Sequence, residues 1–537
     1  MIHGVTLRPY QVEAVELMRS RGRALLSLCM GAGKTVTSLA AVEDLIADGV
    51  VTRGLVIVPA SLKYQWQREI KRYTGRSALV IDGSKAQRQK LYRYVPTMTY
   101  TIVNYETILA DWKYWRDADF DFLIIDEISY CKNPTAKRTK YVRFMSKRCD
   151  VVYGLTGQPV ENRAEELFSI MQIVDPTVLG DHRTFDRTFI VRDHWGKPVR
   201  YRNLKTLRAA LVDVMYRKRR EDIADQFPRL VSTVLPFELS PKEAKLYRFV
   251  VSYTISVLEE AMQTYGPGFS VDHHYGAATS AAEIEVRGKI MSGLLMLRWI
   301  ADDHNLIRDS AVLYAEKKRK IDALLREDPE AKIPKALAAE PGSELAYVLV
   351  TGDHLVGLPE VSTKRQLFVE QLAAILEEDP TNKVVAFSTF KGMIRRLMDD
   401  TAELTKSVPF TGDMNAWQKQ AAMATFKDDP ECRLFLSSDA GGYGVDLPEG
   451  NYLYSIDLPW STGAFEQREA RIIRISSEWE HVTLVSLQAE GTIDQRIYEM
   501  INAKHGVSAA FIDGKFDSQG IHTPTLGSLT QFLMDHS

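Results

Sequence analysis

Short, unbroken apolar runs recur through the first third of the chain: ALLSL from Ala24, GLVIVPA from Gly54, YTIVNY from Tyr100, DFLIIDE from Asp121 and VVYGLTG from Val151. Strands that are continuously apolar, not alternating, are buried on both faces, which is the condition of a parallel sheet sandwiched between helices. A second series begins near Lys383, with KVVAFSTF, RLFLSSDAGG from Arg433, NYLYSIDLPW from Asn451 and HVTLVSLQAEG from His481. At 537 residues the chain is too long for one hydrophobic core. The expected fold class is therefore α/β, with two parallel-sheet lobes.

Between the two series, from about Ser240 to Ser362, the pattern is helical and irregular, with breaks at Tyr265 to Gly268 and at Pro341-Gly342. The expected organisation is lobe 1 over 1–235, a helical insertion leading into lobe 2 over 236–361, lobe 2 over 362–505, and a tail over 506–537. His273-His274 and the run Asp302-Asp303-His304 lack complementary ligand spacing, so surface or capping roles are expected for them. Cys29, Cys131, Cys149 and Cys432 form no C-x-x-C pair and read as reduced thiols. No apolar run approaches membrane-spanning length and MIHGVTLRPY has no apolar signal core, so a cytoplasmic protein is expected.

The chemistry begins at LCMGAGKTVTSL, Leu28 to Leu39. The general phosphate-loop pattern, G-x-x-x-x-G-K-S/T, has glycine where this chain has Leu28. The context is nevertheless a strand, a glycine turn and a helix N-terminus, which together aim backbone N–H groups and the positive dipole end at a phosphate. Met30, Gly31, Ala32 and Gly33 would form the cradle, Lys34 would reach the β- and γ-phosphates of ATP, and Thr35 would ligate Mg²⁺. DFLIIDEIS supplies the partner, because a buried strand delivers Asp126 and Glu127 to the edge where α/β sheets bind ligands. Asp126 suits the Mg²⁺ shell and Glu127 suits activation of an attacking water. Taken alone, each motif also has a bland reading, a structural turn for the first and a helix cap for the second.

In this order the motifs resemble the SNF2-like branch of superfamily 2 helicase-type ATPases. LRPYQ at Leu7 is similar to the motif whose Gln11 would read adenine, and MGAGKT to motif I. VPASLKYQW from Val58 resembles motif Ia, VNYE from Val103 motif Ib, and DEIS with the following KNP motif II. LTGQPVENRAEELFSIMQIVDP from Leu155 is similar to motif III and the helical stretch after it. In the second half, STKRQLFVEQL from Ser362 and VVAFSTFKGM from Val384 (motif IV) continue the pattern, as do SSDAGGYGVDL from Ser437 (motif V) and EQREARIIRI from Glu466 (motif VI). GTIDQRIYEMI from Gly491 resembles the segment that closes the motor core.

The resemblance implies two RecA-like lobes with the ATP site between them. It adds Gly444, Asp446 and Gln467 to the nucleotide contacts, and Arg471 and Arg474 as the arginines that stabilise charge on the γ-phosphoryl group. These two arginines lie about one helical turn apart and would share a face if their segment is helical. The implied partner is DNA, touched without sequence preference through phosphates by Ser61, Lys63, Asn104, Tyr105, Ser388, Thr389 and Ser438.

The net charge of −2 and pI near 6.6 give no global sign of nucleic-acid binding. Local basic runs do exist, KNPTAKRTKYVRFMSKR from Lys132 and RKRR from Arg217. Several positions depart from the family pattern: Leu28-Cys29 in place of an acidic pair, Ser129 in place of histidine, Gln158 in place of threonine, and Ser476-Ser477 in place of Gly-Gln. Ile472-Ile473 make motif VI more apolar than the pattern.

The implied function is an ATP-dependent translocase on double-stranded DNA. A strand-separating DNA or RNA helicase shares the same motifs, and a nucleotide-gated clamp or scaffold that moves little is the reading from a different class. A monomeric, nearly bare motor of bacterial or viral type is expected.

Overall fold

The computed structural model describes residues 2–508, apart from 161–162, 193–197, 267–268, 270–279 and 440–444. The first lobe is a seven-stranded parallel sheet in the order β3-β4-β2-β5-β6-β1-β9. Its strands are β1 (Arg23–Leu28), β2 (Gly54–Val58), β3 (Ala78–Val80), β4 (Tyr100–Asn104), β5 (Phe122–Ile125), β6 (Val151–Thr156) and β9 (Met215–Lys218). A small antiparallel pair, β7 (Ile190–Arg192) and β8 (Pro198–Tyr201), stands apart from it.

Successive residues of each central strand enter different cores. Leu26, Leu28, Val56, Val58 and Ile124 pack with α1 (Pro9–Arg21) and α2 (Lys34–Ala47), whereas Leu25, Leu55, Ile57, Leu123 and Ile125 join a second cluster on the opposite face. This is why the runs are apolar without alternation. The strand ends Leu28, Val58, Asn104 and Ile125 therefore lie along one edge, and the candidate motifs follow directly from them.

The second lobe is a six-stranded parallel sheet in the order β10-β15-β14-β11-β13-β12. Its strands are β10 (Arg229–Phe237), β11 (Val384–Ser388), β12 (Lys406–Phe410), β13 (Cys432–Ser438), β14 (Tyr452–Ser455) and β15 (His481–Ala489). The chain therefore crosses between lobes over 219–228, ahead of the expected boundary at 235. β10 carries no continuous apolar signature because it is an edge strand, with Leu230 and Val231 exposed. The RKRR run is not a free basic surface either, since Arg217 and Lys218 belong to β9 beside β1.

The helices of the insertion, Pro241–Tyr265, Ala281–Asp302, Asn305–Glu327 and Ser343–Thr351, are built into lobe 2. Lys364, with no exposed side chain, is held by Asp302 and Asp494 at 2.6 Å each. Arg298 donates to the Leu458 carbonyl at 2.8 Å and lies 3.6 Å from Asp457. Of the surface or capping roles expected for Asp302-Asp303-His304, the surface one is corrected, because all three are fully buried and tie the insertion to the helix Thr363–Glu378, while Asp303 accepts from the Asn305 N–H at 3.2 Å at the start of the next helix. Among the described residues no group of three or more His, Cys, Asp or Glu is arranged to hold a metal. His273-His274 lie outside the described residues, as does most of the expected tail. All four cysteines are unpaired. No described helix is long and apolar enough to cross a membrane.

Glu243 caps the start of the first insertion helix and receives hydrogen bonds from Ser240 (2.7 Å) and from the Thr363 backbone (3.2 Å) and hydroxyl (2.5 Å), with His304 Nδ1 at 3.2 Å. Burial opposes its ionisation, but the hydrogen bonds from His304, Thr363 and Ser240 outweigh that and hold the carboxyl at about 2. A carboxyl depressed in the folded state stabilises above its unfolded value near 4.5, and that contribution is lost as pH falls from there towards 2. Its size is on the order of 3 kcal/mol. Glu243→Gln is expected to lower the unfolding midpoint at neutral pH and to narrow its gap from wild type as pH drops below about 4.5, followed by thermal melts across pH.

Candidate nucleotide site between the lobes

β1 ends at Leu28, which is fully buried, and the cradle starts two residues later. The absent glycine at 28 is therefore a strand residue and no defect of the loop. Gly31 and Gly33 both sit in the left-handed region, at φ 79° and 81°, and α2 starts at Lys34 immediately after them. Gly33 also lies so close to the Gln11 amide that an added Cβ would meet its nitrogen at 2.4 Å. Gln11 accepts from the Arg8 N–H at 2.9 Å and donates to the Ala32 carbonyl at 3.1 Å, and the Tyr10 hydroxyl donates to the same carbonyl at 2.9 Å. The residue expected to read adenine thus also braces the loop, with its second amide hydrogen left for a base. Lys34 donates to the Leu28 carbonyl at 3.3 Å. Met30, partly buried, lies against Gly157 of motif III. Burial pushes the neighbouring Cys29 thiol up despite Lys34 and Arg220, which keeps it in the unreactive protonated form.

At the end of β5, Asp126 accepts from the Trp66 indole N–H at 2.8 Å and from the Glu127 N–H at 3.0 Å. Burial raises the Asp126 pKa, the Trp66 hydrogen bond and Lys34 opposing it. Glu127 adopts φ 49° and ψ 54°, unusual for a residue with a side chain, and its carboxylate accepts from the Ser129 hydroxyl at 2.7 Å. The Tyr105 hydroxyl donates to the Asp126 carbonyl at 2.7 Å and braces this turn from behind. Asp126 and the Thr35 hydroxyl are hard oxygen donors meeting at the phosphate loop, which fits Mg²⁺. Glu69, on α3 (Lys63–Thr74), stands beside them and accepts from the Gln65 amide at 2.8 Å. Burial pushes its carboxyl up to about 7.

Lobe 2 closes over this site. A Cβ on Gly31 would meet the Ile473 carbonyl at 2.9 Å, Arg474 Cδ at 3.2 Å and a Phe227 ring carbon at 3.4 Å, so Arg474 lies across the loop. Its guanidinium is paired with Asp446 of motif V. Gln158 of motif III donates to Glu466 across the lobes, and Arg220 reaches Glu469 at 4.0 Å. Ile472 and Ile473 are fully buried in a cluster that also contains Leu28, Ala32 and Phe227 of the first half and Val385 and Leu447 of the second.

Two expectations are corrected here. The helix Thr462–Glu469 stops before motif VI's arginines, so they do not share a helical face. Arg471 is buried and donates to the Val445 carbonyl at 3.2 Å, inside lobe 2, while Arg474 reaches the loop. Gln467 lines a cleft of about 480 Å³ with Ser129, Lys132 and Arg138, beside motif II. Gly444 lies outside the described residues.

Residues 10–274 match the SNF2-related domain and residues 366–476 the helicase conserved C-terminal domain, one for each half of the cleft. The chain belongs to the SNF2-related family. It is 24% identical to the DNA repair and recombination protein RAD54B of Gallus gallus over 96% of this chain and 55% of that protein. It is also 24% identical to chromodomain-helicase-DNA-binding protein 8 of Danio rerio over 95% of this chain and 19% of that protein. The chain thus spans only about half, or less, of these relatives' length. Among solved structures it is similar to the Sulfolobus solfataricus SWI2/SNF2 ATPase core in complex with dsDNA, at 20% identity and a TM-score of 0.40 over 95% of this chain and 94% of that one.

Within this SNF2-related chain the departures from the family pattern have specific places. Ser129 holds Glu127, Gln158 bridges to Glu466, and Ser477 donates to the Pro448 carbonyl at 3.2 Å beneath motif V. Most side chains expected at DNA face inward and are corrected accordingly. Lys63 is buried against Asp82 at 2.6 Å, Asn104 is bonded to Glu106 and Thr107, and Tyr105 braces motif II. Ser388 is fully buried on Asp457, and Ser438 is buried too. Ser61 and Thr389 are exposed, although the Thr389 hydroxyl also donates to Asp457 at 2.6 Å. Sequence reasoning missed Trp66, Glu69 and Phe227 as parts of the site. Trp66 closes the motif Ia stretch and Glu69 comes three residues later, and this spacing of one helical turn was the available signal.

Gly31→Ala places a methyl against the Ile473 carbonyl and adds strain of about 1 kcal/mol at a positive φ. It is expected to hold the lobes apart, read as reduced energy transfer between fluorophores placed one on each lobe.

Proposed function

We propose that this SNF2-related chain hydrolyses ATP in the cleft between its lobes and uses the cycle to move along double-stranded DNA without sequence preference. The observation that carries the reading is the placement of Arg474 of lobe 2 across Gly31 of the lobe 1 loop that also carries Lys34 and Thr35. A site divided in this way turns over only when the lobes are together. An arginine supplied to the γ-phosphoryl group contributes roughly 10³ to 10⁵ in rate, equivalent to about 4–7 kcal/mol, so closure gates hydrolysis.

In this mechanism Lys34 leaves the Leu28 carbonyl for the β- and γ-phosphates, and Arg474 leaves Asp446 for the γ-phosphoryl oxygens. Glu127, held by Ser129, takes the proton of the water that attacks the γ-phosphorus as the bond to the ADP oxygen breaks. Thr35 and Asp126 would hold Mg²⁺, which when bound offsets phosphate charge. Relatives named for DNA repair and DNA binding support DNA as the track. With most of the polar side chains of motifs Ia, Ib, IV and V turned inward, contact would rest on backbone amides and exposed hydroxyls such as Ser61.

Duplex DNA is expected to stimulate ATPase at least tenfold, single strands less and RNA not at all. Stimulation by RNA alone overturns the reading. Glu127→Gln is expected to bind ATP with turnover reduced by about 10³ or more, and Lys34→Ala to weaken binding itself. Displacement of a third strand from duplex DNA, dependent on ATP, separates a translocase from a clamp.

A further inference from the structure

α3 presents three polar groups to the candidate nucleotide site from little more than one turn of helix. The Trp66 indole donates to Asp126 at 2.8 Å, Glu69 stands beside the Thr35 hydroxyl, and Gln65 donates to Glu69 at 2.8 Å while its own Oε1 is buried without a partner. Trp66 is 2% exposed, and its ring belongs to the same core cluster as β1 and β2. Packing alone explains a buried aromatic ring at this position. It does not explain why the two groups one turn apart each reach a different oxygen donor of the proposed Mg²⁺ site.

We infer that Trp66 and Glu69 are positioning residues that fix the two protein ligands, Asp126 and Thr35, in the geometry that a small divalent cation requires. This assignment rests on the ATPase proposed for the same cleft. Mg²⁺ tolerates little departure from octahedral geometry, so a carboxylate free to rotate binds it poorly. The indole N–H takes up Asp126 Oδ2 and the Glu127 N–H takes up Oδ1, which fixes the plane of the carboxylate and leaves one lone pair on each oxygen pointing outward. Glu69, one turn further along the same helix, stands beside the Thr35 hydroxyl and offers it an acceptor that would turn the oxygen lone pairs towards the loop. α3 begins at Lys63, close behind the exposed Ser61, and Lys63 and Tyr64 anchor its first turn to Asp82 at 2.6 and 2.8 Å. The cation ligands are therefore oriented from the helix that starts in motif Ia and not from the phosphate loop itself.

The test uses the full chain with Mn²⁺ as the probe, its affinity for the complex with a non-hydrolysable ATP analogue read by electron paramagnetic resonance. Affinity for the same analogue in EDTA is measured in parallel. Trp66→Phe keeps the ring and removes the N–H, Glu69→Leu keeps the bulk and removes the acceptor, and Glu69→Gln keeps an acceptor oxygen. Trp66→Phe and Glu69→Leu are expected to weaken Mn²⁺ by about 10- to 100-fold while metal-free nucleotide affinity stays within about twofold, and Glu69→Gln to stay near wild type. Mn²⁺ affinity unchanged in both Trp66→Phe and Glu69→Leu overturns the inference, as does an equal loss of metal-free nucleotide affinity, which marks a packing role. A wild-type chain that binds the analogue in neither condition overturns the ATP-site reading and this inference with it.

Discussion

The contact between Gly31 and the Ile473 carbonyl is the constraint on which the site depends. Only a residue without a side chain lets backbone from the second lobe approach the phosphate loop this closely, and the same residue must hold a left-handed φ for the loop to turn. The glycine therefore serves two geometries at once, one within lobe 1 and one between the lobes. Around it the contact is apolar: Ile472 and Ile473 from lobe 2 share a cluster with Phe227, Leu28 and Ala32. Full burial of an isoleucine is worth about 1.5–3 kcal/mol as an upper bound, and Ile472 packs its side chain on Gly450 of lobe 2 while the Ile473 carbonyl lies against Gly31.

The spacing of Arg471 and Arg474 would place them on one face of a helix, but the helix ends at Glu469 and the apolar residues that follow are buried. The two arginines then separate, Arg471 to the Val445 carbonyl and Arg474 to the loop. What was legible were features with a strong local signature: unbroken apolar strands with two-sided burial, a glycine turn before a helix, and two acids at a strand end. β3, β9, β10 and β12 were missed because they are short or lie at sheet edges, where one-sided exposure erases the continuous pattern. The assignment of β10 to lobe 2 was beyond any local signal, since its partner β15 lies about 250 residues later and pairing at that distance leaves no trace in sequence periodicity.

A basic run is not by itself a basic surface, and the members of RKRR are absorbed locally. Arg217 donates to Ser27 at 3.2 Å, Lys218 lies 3.6 Å from Glu13, Arg219 pairs with Asp222 at 2.8 Å and Arg220 faces Glu469. Deeper in lobe 2, Arg468 is 2% exposed and pairs with Asp439 at 2.5 Å and Asp457 at 3.2 Å, and Asp457 in turn receives Ser388, Thr389 and Arg298. Partial satisfaction of such a network is costly, since removing one partner of a buried pair strands the other at about 3–5 kcal/mol. Motifs IV and VI are consequently tied through Asp457, and motifs V and VI through the pair of Asp439 with Arg468, before any ligand arrives. Ser388 and Thr389, which by residue type alone suit a phosphate, are donors to that carboxylate. A displacement at motif IV cannot occur without disturbing Arg468 in the motif VI helix, which ends about one turn before the residues that reach Gly31. Motif IV and the motif VI helix are therefore joined by a chain of buried ion pairs and hydrogen bonds, whose stiffness follows from the low dielectric in which those pairs sit.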